Sequence, residues 1–493
     1  MVQVNRRVNL DRVVFVHRQV RRRMAMESRF EVRARGRQGS LACVFERPGD
    51  AEGPETKGEV RFEATRRGFR VGAEDLLGVE AMGDARARLW RIERVKKGPV
   101  WKAKMQVMPQ LTFQDAKEAK QAVEAIRKVA TGTQMGSREV LVLVNPCAGK
   151  RRGMRLWQKK VMPVFRRSGI AHRVVETKAK GHAKDVASTL NLDEIGMVMT
   201  IGGDGTVFEV LQGLCGRSDW EKACKVGLCP VPAGSGNALS ASAGLFDPTT
   251  AAIAACKGVV QPLDICSVIQ PPRRFFSFLS TTFGLIANLD VGTEHLRWMG
   301  DARFTVGAVK EILGNKVYSG KVWLWPAEAE LKAGHQTAVP SYLQHGPPCP
   351  IFCSSMDVAG ETTLSQGPSG RSWRKLEDDF SLFILCNIPY ISLDVKMAPH
   401  TSLGNSSFNV VHCGNISKGK RLQFLNSSGG HSERHISLPF VGNENGRAMY
   451  LDPTPAKHPT WLVVDGEEVP FEPVFVESHP KLARVVVFPH TIG

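Results

Sequence analysis

Two glycine-rich turns constrain the fold more than any other feature, because each directly follows a strand-like run of mostly apolar residues. Residues 202–206 (GGDGT) come after the run at 197–201, and residues 232–239 (PAGSGNAL) come after the run at 226–231. Continuous apolar runs are typical of strands that are buried on both faces of a parallel sheet. Turns after neighbouring parallel strands lie at one edge of the sheet, where α/β proteins bind ligands. The pair therefore predicts a ligand site at the carboxyl edge of an α/β domain.

The region around these turns alternates strand-like runs with helical stretches. Residues 140–144 and 174–177 have the pattern of two further strands. The helical stretches cover residues 154–166, 182–190 and 207–214. Alternation of this kind predicts right-handed α/β layers with a parallel sheet and flanking helices. We assign residues 139–262 to this domain.

The chain changes character on the C-terminal side of the α/β domain. From residue 263 to about residue 490 the runs are mostly strand-like, which predicts a second, β-rich domain. Within it, residues 327–377 are rich in Pro and Gly and show no sustained periodicity. Long segments without periodicity usually lie on the surface, so we expect a surface insertion there.

The N-terminal part predicts a small β-rich domain over residues 28–131. Short strand-like runs are followed by an amphipathic helix at about 113–129, a pattern that resembles a pleckstrin-homology module. A different small β-rich domain fits the pattern as well. Residues 1–27 precede it as a basic arm, since the first 37 residues hold eleven Arg against three acids. A transit peptide is the alternative, although nothing marks a cleavage site.

Charge and cysteine usage narrow the possible partners and compartment. Lys and Arg outnumber Asp and Glu by 66 to 48, which gives a formal net charge of +18 and favours nucleic acid, anionic membranes or phosphorylated ligands. No apolar run approaches the ~20 residues of a membrane-spanning helix. The 11 cysteines include no CxxC pair, as is usual for reduced thiols inside the cell. We therefore expect a cytoplasmic protein that associates with membranes peripherally.

The first glycine-rich turn carries an acid in a place that suits a phosphate. Glycines at a strand–helix turn let the backbone approach a ligand, and the N-terminus of the next helix offers N–H groups to phosphate. Asp204, in the middle of the turn, would repel a phosphate unless it binds Mg²⁺ or accepts a proton from an attacking hydroxyl. A tight turn with a solvated carboxylate is the alternative. Two such turns at one edge favour the functional interpretation.

Three sequence elements together resemble the catalytic domain shared by diacylglycerol, ceramide and sphingosine kinases. They are Asn145-Pro146 after the first strand, the GGDGT turn with Glu209 shortly after it, and residues 232–237. In that family a nucleotide domain precedes a β-sandwich, and ATP binds in the cleft between them. The resemblance implies this fold for the present chain, with ATP and Mg²⁺ as cofactors.

Two more stretches are similar to the sphingosine kinase branch of the family. One is residues 284–290 (GLIANLD) with the residues that follow, and the other is residues 464–467 (VDGE) near the C-terminus. The resemblance covers about residues 139–490 apart from the insertion. Gly202 is a departure, because sphingosine kinases commonly have Ser there.

The resemblance also implies roles for individual residues. Asp204 would be the catalytic base or a Mg²⁺-linked acid. Asp290 would bind the lipid head group, because a sphingoid base carries an ammonium whereas diacylglycerol and ceramide carry no cation. The residues that would line the ATP site are Asn145, Pro146, Cys147, Thr177, Gly202, Gly203, Gly205, Glu209, Gly234, Ser235, Gly236, Arg297, Arg303, Asp465, Gly466 and Glu467. The other residues that would line the lipid site are Phe283, Ile286, Leu289 and Phe304.

The function implied is transfer of phosphate from Mg-ATP to the primary hydroxyl of a sphingoid base such as sphingosine or phytosphingosine. A ceramide kinase stays open because of the possible pleckstrin-homology start, and a diacylglycerol kinase is a further alternative. A non-catalytic lipid- or membrane-binding module with a vestigial kinase fold is the alternative of another class. Asp204 and Glu209 argue against it, since a scaffold would not need them. Asp290 could instead cap the following helix.

Overall fold

The described part of the chain contains two large sheets. The computed structural model describes residues 14–16, 25–34, 37–46, 57–63, 69–72, 74–83, 85–130, 138–234, 236–293, 307–308, 311–314, 316–330, 341–356, 364, 367–368, 372–376, 379–454, 458 and 460–488. In these ranges one sheet has eight strands, a second, mixed sheet has 15, and a small one has two. A search of the same ranges finds no helix with the length and apolarity to cross a membrane.

The N-terminal unit is an antiparallel sheet with a helix packed on it. Its elements are β1 (Val14–Val16), β2 (Ala25–Ala34), β3 (Arg37–Glu46), β4 (Lys57–Glu63), β5 (Phe69–Gly72), β6 (Leu76–Ala81), β7 (Arg86–Lys97), β8 (Val100–Thr112) and α1 (Ala116–Ala130). The strand order is β5-β4-β3-β2-β8-β7-β6, so β2 pairs with β8, the last strand. Helix α1 buries Ala119, Val123 and Ile126 against the sheet, as the helical spacing of these residues predicts.

The α/β domain follows. Its strands are β9 (Glu139–Val144), β10 (His172–Glu176), β11 (Ile195–Gly202) and β12 (Gly227–Pro232). Its helices are α2 (Ala148–Arg151), α3 (Gly153–Leu156), α4 (Met162–Ser168), α5 (His182–Ser188), α6 (Asp204–Cys215), α7 (Trp220–Ala223), α8 (Ala238–Ser242) and α9 (Pro248–Lys257). The strands pair in parallel in the order β10-β9-β11-β12. Their carboxyl ends share one edge, and both glycine-rich turns lie there.

The C-terminal part is mostly antiparallel and joins the same sheet through β25, which pairs in parallel with β12. Its strands are β13 (Val260–Gln270), β14 (Arg273–Ser277), β15 (Ser280–Gly284), β16 (Tyr318–Ser319), β17 (Lys321–Pro326), β18 (Arg374–Lys375), β19 (Asp379–Phe380), β20 (Leu382–Cys386), β21 (Phe408–Cys413), β22 (Gly442–Asp452), β23 (Leu462–Val464), β24 (Glu467–Val469) and β25 (Val474–Val486). Its helices are α10 (Leu285–Asp290), α11 (Pro350–Ser355) and α12 (Lys418–Ser428). The two-domain α/β architecture with a mixed sheet agrees with the sequence prediction.

The N-terminal unit packs directly on the α/β domain. Leu77, Ile92 and Ala103 from β6, β7 and β8 are buried in the same core cluster as the central parallel strands. At the end of α9 the ammonium of Lys257 donates to the carbonyl oxygens of Leu76 and Ala130. Burial lowers the pKa of Lys257 to about 8. One face of the N-terminal sheet therefore contributes to the core of the α/β domain, while the residues under α1 form a cluster of their own.

Part of the segment that we expected as a surface insertion is buried. Residues 341–356 pack against β25, where Ile351 and Phe352 are inaccessible to solvent. The carboxylate of Glu477 accepts hydrogen bonds from the N–H groups of both residues, at 3.0 and 2.9 Å. Arg274 on β14 donates to the carbonyl oxygens of this segment, one of them that of His345 at 3.0 Å. Periodicity in so short a helix is too brief to predict such burial.

Candidate active site

The two glycine-rich turns touch each other at the edge of the parallel sheet. The N–H groups of Ala233 and Gly234 both donate to the carbonyl oxygen of Gly202, at 3.1 Å. A Cβ atom on Gly234 would lie only 2.6 Å from Cα of Gly203, so the second turn could not carry a larger residue at position 234 without shifting. The sequence placed the turns at one edge, and the structure brings them into direct backbone contact.

Asp204 lies at this contact and is the first residue of α6. Its carboxylate accepts hydrogen bonds from the N–H groups of Ala238 (2.9 Å) and Leu239 (3.2 Å), at the start of α8. A Cβ atom on Gly236 would lie 2.8 Å from Oδ2, which explains a glycine there. Burial raises the pKa of Asp204, and the N–H groups oppose part of that rise. Asp204 thus belongs to the first glycine-rich turn, and N–H groups at the end of the second turn hold its carboxylate in place.

Asn237 holds the second turn in shape, a role that the sequence prediction did not include. Its backbone has a φ of 62°, in the left-handed region that Asn tolerates better than most residues. Its Oδ1 accepts from the N–H groups of Ala233 (3.1 Å) and Gly234 (2.9 Å), and its Nδ2 donates to the carbonyl oxygen of Gly234 (2.7 Å). The sequence signal that could have indicated this role is an Asn between a glycine and the start of a helix.

A third turn, after β9, lies at the same edge. Oδ1 of Asn145 accepts from the N–H of Cys147 at 3.0 Å, while its Nδ2 lies 3.5 Å from Oγ1 of Thr206 in the first turn. Thr177, at the end of β10, donates its N–H to the carbonyl oxygen of Val144 at 2.9 Å. The residues expected after successive strands therefore lie together, as their position at the strand ends predicts.

Glu209 on α6 holds a neighbouring loop. Its two carboxylate oxygens accept from the N–H groups of Gly181 (2.8 Å) and Ala183 (3.1 Å), at the start of α5. We expected Glu209 to line the nucleotide site. In the structure its carboxylate is engaged with backbone N–H groups, so it acts on the site by fixing the loop between β10 and α5.

Asp465 reaches the site region from far along the chain and is buried. It accepts from the hydroxyl of Ser277 (2.6 Å) and from the N–H groups of Phe278 (2.9 Å), Leu279 (3.0 Å) and Ser280 (2.9 Å). Burial raises its pKa to about 6, and these four bonds counteract part of the rise. The carboxylate therefore fastens the turn between β14 and β15 to the hairpin of β23 and β24.

Glu467, in the same hairpin, extends to the α/β domain. Its Oε2 pairs with the ammonium of Lys180 at 2.6 Å, across 287 positions of sequence. Its Oε1 would lie 3.5 Å from a Cβ atom on Gly205, next to Asp204. The hairpin therefore meets the α/β domain beside the first glycine-rich turn. Lys180 was not among the predicted residues, and no local pattern marks it.

Comparison with known proteins shows which families this chain resembles. Residues 139–268 match the family model described as the diacylglycerol kinase catalytic domain. Sphingoid long chain base kinase 4 of Schizosaccharomyces pombe is 28% identical over 71% of this chain and 75% of its own length. Sphingosine kinase 1 of Arabidopsis thaliana is 28% identical over 64% of each chain, and sphingosine kinase 1 of Homo sapiens is 28% identical over 70% of this chain and 89% of its own. Residues 139–268 are therefore similar to the diacylglycerol kinase catalytic domain, and about two thirds of the chain is similar to sphingosine and sphingoid base kinases.

Several predicted residues of this lipid kinase lie outside the described residues. They are Ser235, Arg297, Arg303 and Phe304. Asp290 is the last residue of α10, and only its backbone is described. Its assignment to the lipid head group therefore stays a prediction.

The predicted lipid-site side chains of the kinase divide between two hydrophobic clusters. Phe283 is fully buried in the core around β20 to β22. Leu289, with Ile286 packed beside it, belongs to a second cluster that also contains Ile384 and Phe424. Phe283 is therefore a core residue, while α10 presents apolar side chains to the second cluster.

Proposed function

We propose that this lipid kinase transfers the γ-phosphate of ATP to the primary hydroxyl of a sphingoid long-chain base, giving the 1-phosphate. The observation that carries the proposal is the position of Asp204. Its carboxylate lies where the two glycine-rich turns touch, and Glu467 from the other domain reaches the neighbouring Gly205. A carboxylate in such a cleft can accept a proton from a hydroxyl that the second domain holds.

In the proposed step the hydroxyl oxygen of the lipid forms a bond to the γ-phosphorus. The bond from that phosphorus to the bridging oxygen of ADP breaks, and the hydroxyl proton passes to Asp204. A raised pKa makes Asp204 a better proton acceptor than an exposed carboxylate. Since phosphoryl transfer depends mainly on positioning and charge stabilisation, the backbone turns would hold the phosphates close to Asp204.

Mg²⁺ fits the residues at this edge. The ion usually binds one or two carboxylates together with the phosphates of its nucleotide. A carboxylate has lone pairs beyond those that engage the N–H groups of Ala238 and Leu239, so Asp204 also fits the role of the protein ligand, as the alternative to its role as the base. A search of the described residues finds no cluster of three acidic, His or Cys side chains, which is consistent with an ion held mainly by nucleotide. Bound there, Mg²⁺ would neutralise charge on the β- and γ-phosphate oxygens.

The alkyl chain of the lipid would occupy the second hydrophobic cluster. Leu285 and Leu289 from α10 meet Leu382, Ile384 and Phe424 in that cluster. We propose that the antiparallel strands of the C-terminal part form the lipid-binding β-sandwich expected from the family, with the head group near the end of α10. Apolar walls with a few polar groups at one end are typical of sites for amphiphilic ligands.

We expect Asp290→Asn to raise the Michaelis constant for sphingosine by about 10- to 150-fold. A charge-assisted hydrogen bond to an ammonium is worth roughly 1.5–3 kcal/mol, and the substitution removes the charge. The Michaelis constant for ATP should change little, and any weak activity on ceramide should survive, because ceramide carries no cation. Steady-state kinetics with sphingosine and ceramide measure the effect. A lower melting temperature with equal loss on all lipids would instead identify Asp290 as a helix cap.

We further propose that the N-terminal unit is a pleckstrin-homology-type module that contributes to binding of anionic membranes. Its meandering sheet, in which β2 pairs with β8, and its final helix α1 support this assignment. The tip of the β7–β8 hairpin carries the exposed residues Lys96 and Lys97. Together with the net charge of +18, these favour an anionic surface.

The membrane proposal predicts salt-dependent binding to vesicles that contain phosphatidylserine. Each basic residue near such a surface is worth about 1 kcal/mol, so Lys96→Glu with Lys97→Glu should weaken binding by at least ~10-fold. Sedimentation of vesicles at low and high salt measures it. Lys222→Glu with Lys225→Glu, at two exposed positions of the α/β domain, is the matched double charge reversal and should have little effect. Equal binding to neutral and anionic vesicles would contradict the proposal.

A radiolabelled-ATP assay with sphingosine, phytosphingosine, ceramide and diacylglycerol side by side tests the function. We expect the sphingoid bases to give the dominant products. A dominant ceramide product would favour the ceramide kinase alternative, for which the proposed pleckstrin-homology module is the supporting feature. Absence of transfer to any lipid, with the fold intact, would favour the non-catalytic alternative.

A further inference from the structure

Gln212 links the helix that carries Asp204 to the C-terminal domain. It lies eight positions after Asp204 on α6. Its Nε2 donates to the carbonyl oxygen of Phe276 at 2.6 Å, and its Oε1 accepts from the N–H of the same residue at 2.9 Å. Phe276 belongs to β14, so a single amide side chain satisfies both backbone groups of one residue in the other domain.

The contact at Phe276 is one of several contacts that join the C-terminal domain to the α/β domain near Asp204. Strand β14 runs directly into residues 277–280, which Asp465 holds through four hydrogen bonds. The hairpin that contains Asp465 then brings Glu467 to Gly205, in the first turn of α6. Helix α6 therefore approaches the C-terminal domain at two points: Glu467 lies beside its first turn, and Gln212 forms two hydrogen bonds to Phe276.

We propose that Gln212 is a positioning residue that sets the separation of Asp204 from the lipid hydroxyl across the cleft. The proposal rests on the function proposed above and adds a residue that does not touch substrate. Phosphoryl transfer requires the reacting groups to be in line, and a displacement of about 1 Å can cost ~10²-fold in rate. Both turns that hold the phosphates belong to the α/β domain, whereas the lipid would belong to the other. The Gln212–Phe276 contact is one of those that set their relative placement, together with the pairing of β12 with β25.

The amide of Gln212 is matched to this contact. Leucine has a similar shape but offers neither a donor nor an acceptor. Glutamate can accept from the N–H of Phe276, but its second oxygen would face the carbonyl oxygen of the same residue. Gln212→Leu and Gln212→Glu therefore remove two bonds and one bond to Phe276 respectively, with little change in volume. Both also lose the 3.4 Å bond from Nε2 to the carbonyl oxygen of Phe208 within α6.

We expect Gln212→Leu to lower kcat by about 10- to 100-fold while the Michaelis constant for ATP stays within about two-fold of the wild-type value. The kcat of Gln212→Glu should lie between that of wild type and that of Gln212→Leu. The matched control is Thr250→Val on α9, which loses a buried hydrogen bond from the N–H of Ala103 (2.9 Å) at the opposite interface. The control should lower the melting temperature by a similar amount and leave kcat unchanged. A kcat within two-fold of wild type in Gln212→Leu, or an equal loss in the control, would overturn the proposal.

Hydrogen exchange provides a readout that does not need an active enzyme. In Gln212→Leu, the N–H of Phe276 and the peptide over residues 462–469 should exchange faster than in wild type, because the hydrogen bonds between residue 212 and Phe276 are lost. In Thr250→Val they should not. Unchanged exchange in Gln212→Leu would refute the coupling. A wild-type protein that phosphorylates none of the four lipids would refute the proposed function instead, and the exchange result would still decide whether Gln212 joins the two domains.

Discussion

Asp204→Asn is expected to lose at least ~10²-fold in kcat while the fold and the affinity for ATP stay close to those of wild type. General base catalysis contributes about 10²- to 10⁴-fold, and an amide cannot accept the proton of the lipid hydroxyl. The carboxylate also accepts from the N–H groups of Ala238 and Leu239. An Asn side chain can satisfy only one of these through its oxygen, so a stability loss of about 1 kcal/mol should accompany the loss of rate.

Asp247→Asn is the matched control for Asp204. Asp247 caps α9 in a similar way, with its Oδ1 accepting from the N–H groups of Thr249 (3.0 Å) and Thr250 (3.1 Å). Asp247→Asn keeps the oxygen that accepts both N–H groups but loses the bond that Oδ2 accepts from the hydroxyl of Thr250 at 2.6 Å, so it should lose about 1 kcal/mol of stability without a change in kcat. Single-turnover assays at saturating ATP, with ATP binding measured by calorimetry, separate the two roles. Equal activity of the two variants would remove Asp204 from the chemistry.

Asp465→Ala is expected to lower the free energy of unfolding by about 3–5 kcal/mol. The substitution leaves the hydroxyl of Ser277 and three backbone N–H groups without their buried acceptor. Each buried donor left unpaired costs about 1–3 kcal/mol, although water entering the space would recover part of this. Urea denaturation measures the loss.

Glu467→Ala is the control in the same hairpin. Its partner Lys180 is largely exposed, at 82% of the side chain, so the ion pair should contribute less than about 1 kcal/mol to stability. A similarly small loss in both variants would mean that Asp465 does not fasten the turn between β14 and β15. A large loss in Asp465→Ala alone would support that role.

The pH dependence of stability provides a second test of Asp465. Burial raises its pKa from 3.8 to about 6, so the folded state keeps a proton that the unfolded chain has already released in this window. This contribution to stability therefore falls as the pH rises from about 4 to about 6, by up to about 3 kcal/mol, and is constant above that. Asp465→Asn has no carboxyl group to titrate at this position. The free energy of unfolding of wild type minus that of the variant should therefore fall as the pH rises from about 4 to about 6. A difference that does not depend on pH would contradict the burial of a titrating carboxylate.

Much of the site was predictable because its parts are local in sequence. A strand followed by a glycine-rich turn and a helix is specified within about ten residues, and parallel pairing then brings the carboxyl ends of successive strands to one edge. For this reason the sequence predicts that Asn145, Thr177, Asp204 and Gly234 lie together. The amphipathic helix α1 was predictable for the same reason, since helical spacing alone selects its buried face.

The orientation of the side chains was not predictable from these patterns. Glu209 follows the first turn by a few residues, yet its partners Gly181 and Ala183 precede it by 28 and 26 positions. The sequence indicated only that an acid was close to the turn. Whether its oxygens face a ligand or the start of α5 depends on how two helices pack, which no local pattern encodes.

The sequence by itself determined the α/β layers, the edge at which the site lies and the place of Asp204 in it, because short-range patterns of apolar residues and glycines specify them. Only the tertiary structure decided how the second domain joins this edge. Asp465 binds residues 277–280, Glu467 meets Lys180 and Gln212 meets Phe276. These contacts join residues 64 to 287 positions apart, and each depends on how distant segments of the chain pack together. The local sequence around a charged or amide side chain is the same whether or not a distant segment supplies a partner for it. Only the tertiary structure therefore shows these contacts.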